Sequence, residues 1–186
     1  KKGSGLPLKV PVIDLIEIGA GGGSLARVDN MGLLKVGPDS AGSEPGPVCY
    51  GLGGTQPAVT DADLLLGYLS PEYFLGGEMD LDLGLVKDAV EEKLANVTGL
   101  SVEEVAAGIH SIVNENMASA TRMYIAEKGR DPRRYALVAS GGAGPVHAYG
   151  MAKLLKISRV ICPLGAGVLS ALGFPVSYTH LTLPTS

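Results

Sequence analysis

Cysteine is scarce in this chain: only Cys49 and Cys162 occur among 186 residues. They make no CxxC pair, and no histidine lies at a spacing suited to a structural zinc. Also missing is any apolar run long enough to span a bilayer, and the opening Lys1-Lys2-Gly3-Ser4-Gly5 lacks the hydrophobic segment of a signal peptide. A cytoplasmic location is the expectation. There is no basic stripe and no polybasic patch, since charges of both signs are interspersed and sum to −4. Nucleic acid and membrane are therefore not expected as partners. Cys162, in the apolar run Val160-Ile161-Cys162, reads as a buried small hydrophobe. Cys49 sits in a glycine- and proline-rich loop beside Tyr50, where it either lines a site as a thiol or packs passively.

What the chain has in excess is glycine. Eleven glycines fall between Gly19 and Gly54, too many for helix or strand interiors, because each gives up extra conformational entropy on ordering. The run Gly19-Ala20-Gly21-Gly22-Gly23-Ser24 is dense enough to read as backbone brought close to a ligand, where N–H groups converge on an anion or a small polar molecule. Tight turns joining short strands are the alternative. At 46% hydrophobic residues over this length, the chain can bury the core of one domain of ordinary size.

The apolar run Val10–Ile18 predicts a strand ending at the Gly19 turn. Leu25–Val28 and Leu33–Val36, joined by Asp29-Asn30-Met31-Gly32, predict a hairpin. Thr60 is expected to cap a helix that begins Thr60-Asp61-Ala62-Asp63, with Asp61 either favouring the helix dipole or pointing into a site. A helix is predicted over 83–95, with Asp80 and Asp82 as candidate caps. Ser101-Val102-Glu103-Glu104 is a capping box opening a long central helix to about Lys128. On it, His110 reads as a structural histidine, while Asn114, Glu115 and Asn116 either face solvent or reach a neighbouring site.

After the break at Arg130-Asp131-Pro132, the pattern is strand (Tyr135–Ala139), glycine turn (Ser140–Pro145), helix (Val146–Leu154) and strand (Arg159–Cys162). That is a βαβ unit, which makes the fold class α/β. Helix N-terminal amides behind such a turn meet anions or the edge of a nucleotide, and tight strand-to-helix packing explains the same glycines. Pro145 suits the first helical turn. His147 either hydrogen-bonds a ligand or packs. A further helix is predicted from Val168 to Gly173. From Val176 the texture changes, and Val176–Thr185 resembles the in-frame translation of an adapter used in DNA library preparation. Residues 176–186 are set aside on that ground, with Tyr178 and His180, and the chain is expected to be a piece of a longer reading frame.

Several blocks, in order, resemble the hydantoinase A/oxoprolinase family: Ile18–Ser24, Val36–Gly42, Pro45–Gly51, Val59–Leu64, Gly129–Arg133, Gly141–Ala148 and Gly167–Gly173. The resemblance covers nearly all of Val10 to Phe174, so 1–175 is read as a partial domain of that family. It implies an actin/Hsp70/sugar-kinase-like (ribonuclease H-like) lobe with a glycine-rich strand-turn region, and a parent enzyme that opens cyclic amides with ATP and Mg2+. The rings would be hydantoin, N-methylhydantoin or 5-oxoproline, activated by carbonyl phosphorylation. It implies an acidic glycine motif for phosphate just before Lys1, an isolated fragment without activity, and a hydantoinase-B-like subunit or fused domain as partner. An acetone-carboxylase-type subunit and a non-catalytic actin/Hsp70-like nucleotide-binding module are the alternatives. On this reading Gly141, Gly142, Ala143, Gly144 and His147 contact the nucleotide. Gly21, Gly22, Gly23, Ser24, Gly46, Cys49 and Tyr50 contact the substrate, and Asp61 is the catalytic carboxylate. Position 63 is often Asn in relatives and is Asp here.

Overall fold

A computed structural model describes residues 15–169 and 171. The strand expected over Val10–Ile18 falls largely outside them, and its described part, 15–18, is not in a strand. Of the helix predicted over 168–173, residues 168, 169 and 171 are described and are helical, and the tail lies wholly outside. The hairpin forms as expected: β1 (Ser24–Val28) pairs antiparallel with β2 (Leu34–Ser40), in register Ala26 to Val36 and Val28 to Leu34. Asp29 shapes its turn by accepting the N–H groups of Met31 and Leu33, each at 2.9 Å.

Helix α1 (Val59–Leu65), with Ala58 at its N-cap, starts two residues earlier than Thr60 would dictate as a cap. Thr60 is committed elsewhere, because its N–H and its hydroxyl both donate to the Gly22 carbonyl, at 2.8 and 2.9 Å. Asp61 closes the helix start instead, accepting the Ala58 N–H at 2.7 Å. Asp82 does cap α2 (Leu83–Val90), accepting the Leu85 N–H at 2.9 Å. That helix continues through a π-helical turn, Glu91–Ala95, into the short α3 (Asn96–Thr98), a wider turn that the apolar spacing did not show.

The long helix α4 (Val102–Glu127) opens on the expected capping box: the Ser101 N–H donates to Glu104 Oε2 at 2.8 Å and the Glu104 N–H to Ser101 Oγ at 3.2 Å. Hydrogen bonds from Ser101 hold the Glu104 carboxyl below its ordinary 4.5. A lowered folded value means that its contribution is present above about pH 4.5 and fades as pH falls through the folded value. Replacing Ser101 with Ala is expected to cost about 1 kcal/mol in urea denaturation.

The core lies where α4 crosses the first half of the chain. Val105, Ile109 and Val113 pack with Val59 and Ala62 of α1, Val86 and Val90 of α2, and Ala26 and Val36 of the hairpin. Along its length α4 also packs against α5 (Gly144–Leu155). That helix joins β3 (Leu137–Val138) to the parallel β4 (Val160–Ile161), completing the expected βαβ unit and the α/β class. Cys162 overturns its expectation: it is exposed, with Val160 and Ile161. Among the described residues this sheet has only two strands, so the β4 edge is left open. No helix among the described residues is long and apolar enough to cross a membrane.

Candidate functional site

The first glycine run folds onto the start of α1. Ser24 closes it by accepting the Gly21 N–H on Oγ and donating its own N–H to the Gly21 carbonyl, both at 3.0 Å. A Cβ on Gly22 would lie 2.8 Å from Thr60 Oγ1 and 3.5 Å from Ala143 Cβ. Runs from opposite ends of the described chain therefore meet. Together they wall a cavity of about 700 Å³, with Gly22, Gly23, Tyr50, Thr60 and Asp63 on one side and Gly142, Ala143 and Val146 on the other. Leu69, Phe74 and Leu75 add an apolar rim, and the Tyr50 and Phe74 rings stand 5.6 Å apart.

The two runs need their glycines for different reasons. At Gly22 and Gly23 a Cβ would lie 2.8 Å from a neighbouring hydroxyl, Thr60 Oγ1 and Ser40 Oγ respectively, which would have to move to admit it. At Gly142, which faces the cavity, a Cβ would meet nothing within 4 Å. Gly141 serves the turn, with φ +85° and its N–H on the Ala166 carbonyl at 2.8 Å.

Of the residues expected to touch ligands, Gly22, Gly23, Tyr50, Gly142 and Ala143 share the cavity wall. Gly21, Ser24, Gly141 and Gly144 support it from the adjoining turns. Gly46 is a turn residue at φ +76° packed on the Tyr50 ring. Cys49 is fully buried, and burial, then the Asp61 carboxylate, pushes its thiol far above the ordinary range, so it packs passively. Asp61 is also fully buried and off the wall. Its carboxylate accepts the N–H groups of Val48 (3.1 Å), Cys49 (2.8 Å) and Ala58 (2.7 Å). Burial lifts the Asp61 carboxyl above its usual value, and those N–H groups oppose the lift. In place of a catalytic carboxylate, the structure shows a tie between α1 and the 48–49 turn.

Two carboxylates do line the wall, Glu78 and, two residues on from Asp61, Asp63. Asp63 is the one beside the histidines. It meets His110 Nδ1 at 2.7 Å from Oδ1, and His147 Nε2 lies 3.4 Å from Oδ2. His147 is wholly buried beneath the cavity, its Nδ1 3.0 Å from Asn114 Oδ1. The histidine and asparagine of α4 that sequence reading left as structural or open thus stand beside the site. Asp63 and His110 are 47 positions apart, so periodicity along either helix could not join them.

This is an α/β domain with a glycine-walled cavity between its two halves. The chain belongs to the hydantoinase/oxoprolinase family, whose model matches residues 1–181. Caprolactamase subunit alpha of Pseudomonas jessenii is 46% identical over 176 residues, 93% of this chain and 25% of that subunit. The crystal structure of the ATP-dependent caprolactamase from Pseudomonas jessenii matches with a TM-score of 0.80 at 46% identity, covering 88% of this chain and 24% of that one. A nucleotide-free acetone carboxylase, from work on ATP-dependent acetone carboxylation, matches at 39% identity with a TM-score of 0.77, covering 83% and 22%. The chain spans about a quarter of the length of the curated relatives it matches first.

Proposed function

We propose that this chain is the nucleotide-facing part of an ATP-dependent enzyme that opens cyclic amides such as hydantoin, N-methylhydantoin or 5-oxoproline. The observation that carries the reading is the single cavity walled by Gly22–Gly23 and by the Gly142–Ala143 turn at the start of α5. Open space over Gly142 accommodates a bulky anion, and the N-terminus of a twelve-residue helix beside it favours negative charge. The likeness to the ATP-dependent caprolactamase supports the same choice, and on this reading the parent closes two actin/Hsp70/sugar-kinase-like lobes on ATP with Mg2+.

An unstrained lactam resists water because its carbonyl is resonance-stabilised and its nitrogen leaves poorly. Phosphoryl transfer from ATP to the carbonyl oxygen gives an imidate-like phosphate that water attacks at carbon, releasing phosphate and the opened amino acid. The residues here position the reactants and stabilise developing charge through backbone amides. Gly141, Gly142, Ala143 and Gly144 bring backbone close to the nucleotide, and Gly21–Ser24 to its reacting end and the ring. Tyr50 and the apolar rim of Leu69 and Phe74 suit the methylene face of a ring. A hydantoinase-B-like subunit or fused domain completes the enzyme, in keeping with a relative that is itself a subunit alpha.

The test uses the full-length protein. ADP release is expected only when a cyclic amide is present, and Gly142→Val is expected to weaken ATP binding at least about tenfold, or 1.4 kcal/mol. Unchanged ATP affinity in that variant would falsify the nucleotide assignment. The acetone carboxylase likeness favours a second reading, in which phosphoryl transfer activates bicarbonate; incorporation of labelled bicarbonate without ring opening selects it. ATP turnover indifferent to every cyclic amide selects a nucleotide-binding module.

A further inference from the structure

Three helices deliver one donor each to a point at the inner edge of the cavity: Asp63 from α1, His110 from α4 and His147 from α5. The donor atoms all lie within 4.8 Å of one another. We infer that Asp63, His110 and His147 form a divalent transition-metal site, of the class that takes Zn2+ or Co2+, with its open coordination position toward the cavity.

The orphan nitrogen of His147 carries the argument. With its Oδ1 turned toward the ring, Asn114 accepts the His147 Nδ1 proton at 3.0 Å, and in the neutral ring Nε2 then carries a lone pair. That Nε2 is buried and has no hydrogen-bond partner. Its neighbour at 3.4 Å is a carboxylate oxygen of Asp63. Two electron-rich atoms facing each other away from water repel unless a cation stands between them.

The surroundings suit a metal ion as that cation. Two imidazole nitrogens and one carboxylate oxygen make a borderline-soft donor set that Zn2+ and Co2+ accept and Mg2+ does not prefer. Asn114 fixes the His147 tautomer in the manner of an outer partner to a metal-bound histidine. His110 and His147 stack, with centroids 4.9 Å apart and planes at 28°, which holds the two rings beside the same carboxylate. Asp63 lines the cavity, so a fourth ligand, water or substrate, approaches from there. For a metal to take His110 Nδ1, that nitrogen gives up any proton it donates to Asp63. None of this depends on which nucleotide or ring the cavity takes.

The experiment strips the full-length protein with a chelator and titrates it with Co2+ alone. The wild type is expected to bind one more equivalent than Asp63→Asn or His110→Gln, with visible absorption of a low-coordinate nitrogen–oxygen site that Zn2+ bleaches. The affinity of that equivalent is expected to fall at least about tenfold in either variant. His110 is the most exposed of the three, so His110→Gln decides alone should Asp63→Asn unfold. Equal stoichiometry and affinity in wild type and variant overturns the site, and means that a proton on His147 fills the gap instead.

Discussion

Asp61→Asn is expected to loosen the start of α1 by about 3 kcal/mol while leaving the cavity wall chemically unchanged. Three backbone N–H groups end on this one carboxylate: Val48 and Ala58 on Oδ2, and Cys49 on Oδ1. Asparagine has one acceptor oxygen. Whichever way its amide turns, an NH2 group meets at least one N–H head on, in a place with no water to repair the mismatch. An orphaned buried donor costs roughly 1–3 kcal/mol, and the bonds that remain lose their charge assistance. The expected loss stays near 3 kcal/mol because wild-type Asp61 already bears the cost of burying its charge, which is why its carboxyl sits above the usual range. Hydrogen exchange resolved over residues 45–65 of the full-length protein is the measurement, since a long chain need not unfold in one step. Faster exchange there with the cavity's ligand affinity largely retained fits a structural tie. Collapsed turnover with unchanged exchange would restore Asp61 as a proton carrier.

What the sequence could show, and what it could not, follows from the range of the interactions. Local signals were legible. Asp29 to Gly32 turns as a hairpin because one side chain bonds two N–H groups within four residues. Ser101 and Glu104 cap α4 because both partners lie in the same turn, and Pro145 enters α5 at its first turn. Interactions closed by the tertiary fold were not legible. Thr60 has the chemistry of a cap, yet spends its hydroxyl on Gly22, 38 residues away. Asp61 reads as cap or as ligand until Val48 and Cys49 are folded onto it. Cys162 follows two β-branched residues and reads as buried, but the edge of a two-stranded sheet exposes it. For the candidate site, the two glycine runs were visible as unusual composition, and their meeting across one cavity was not. The signal that could have found the Asp63 cluster was Asp63 itself, a second carboxylate in the first turns of a helix that needs only one cap.

Gly150→Ala sets two known effects against each other, and the sign of the result reports how tightly α4 and α5 are joined at the site. In an open helix the change stabilises by about 1 kcal/mol, because alanine loses less backbone freedom. Here the added Cβ would collide with Asn114 Nδ2 and lie 2.9 Å from its Cγ. Forcing a methyl group into packing this close costs about 1–3 kcal/mol, so a net loss of up to roughly 2 kcal/mol is expected. The consequence reaches further than stability. To make room, Asn114 must swing away or α5 must shift, and either movement breaks the 3.0 Å contact that sets the His147 tautomer. Freed from Asn114, His147 can carry its proton on Nε2 and donate it to Asp63, which removes the lone pair a metal would need. Weaker Co2+ binding should therefore accompany the lower thermal midpoint. Gly142→Ala is the matched control for stability, since its Cβ enters open space and no loss is expected. If Gly150→Ala instead raises stability and leaves Co2+ binding untouched, the two helices have room to spare, and Asn114 does not position His147.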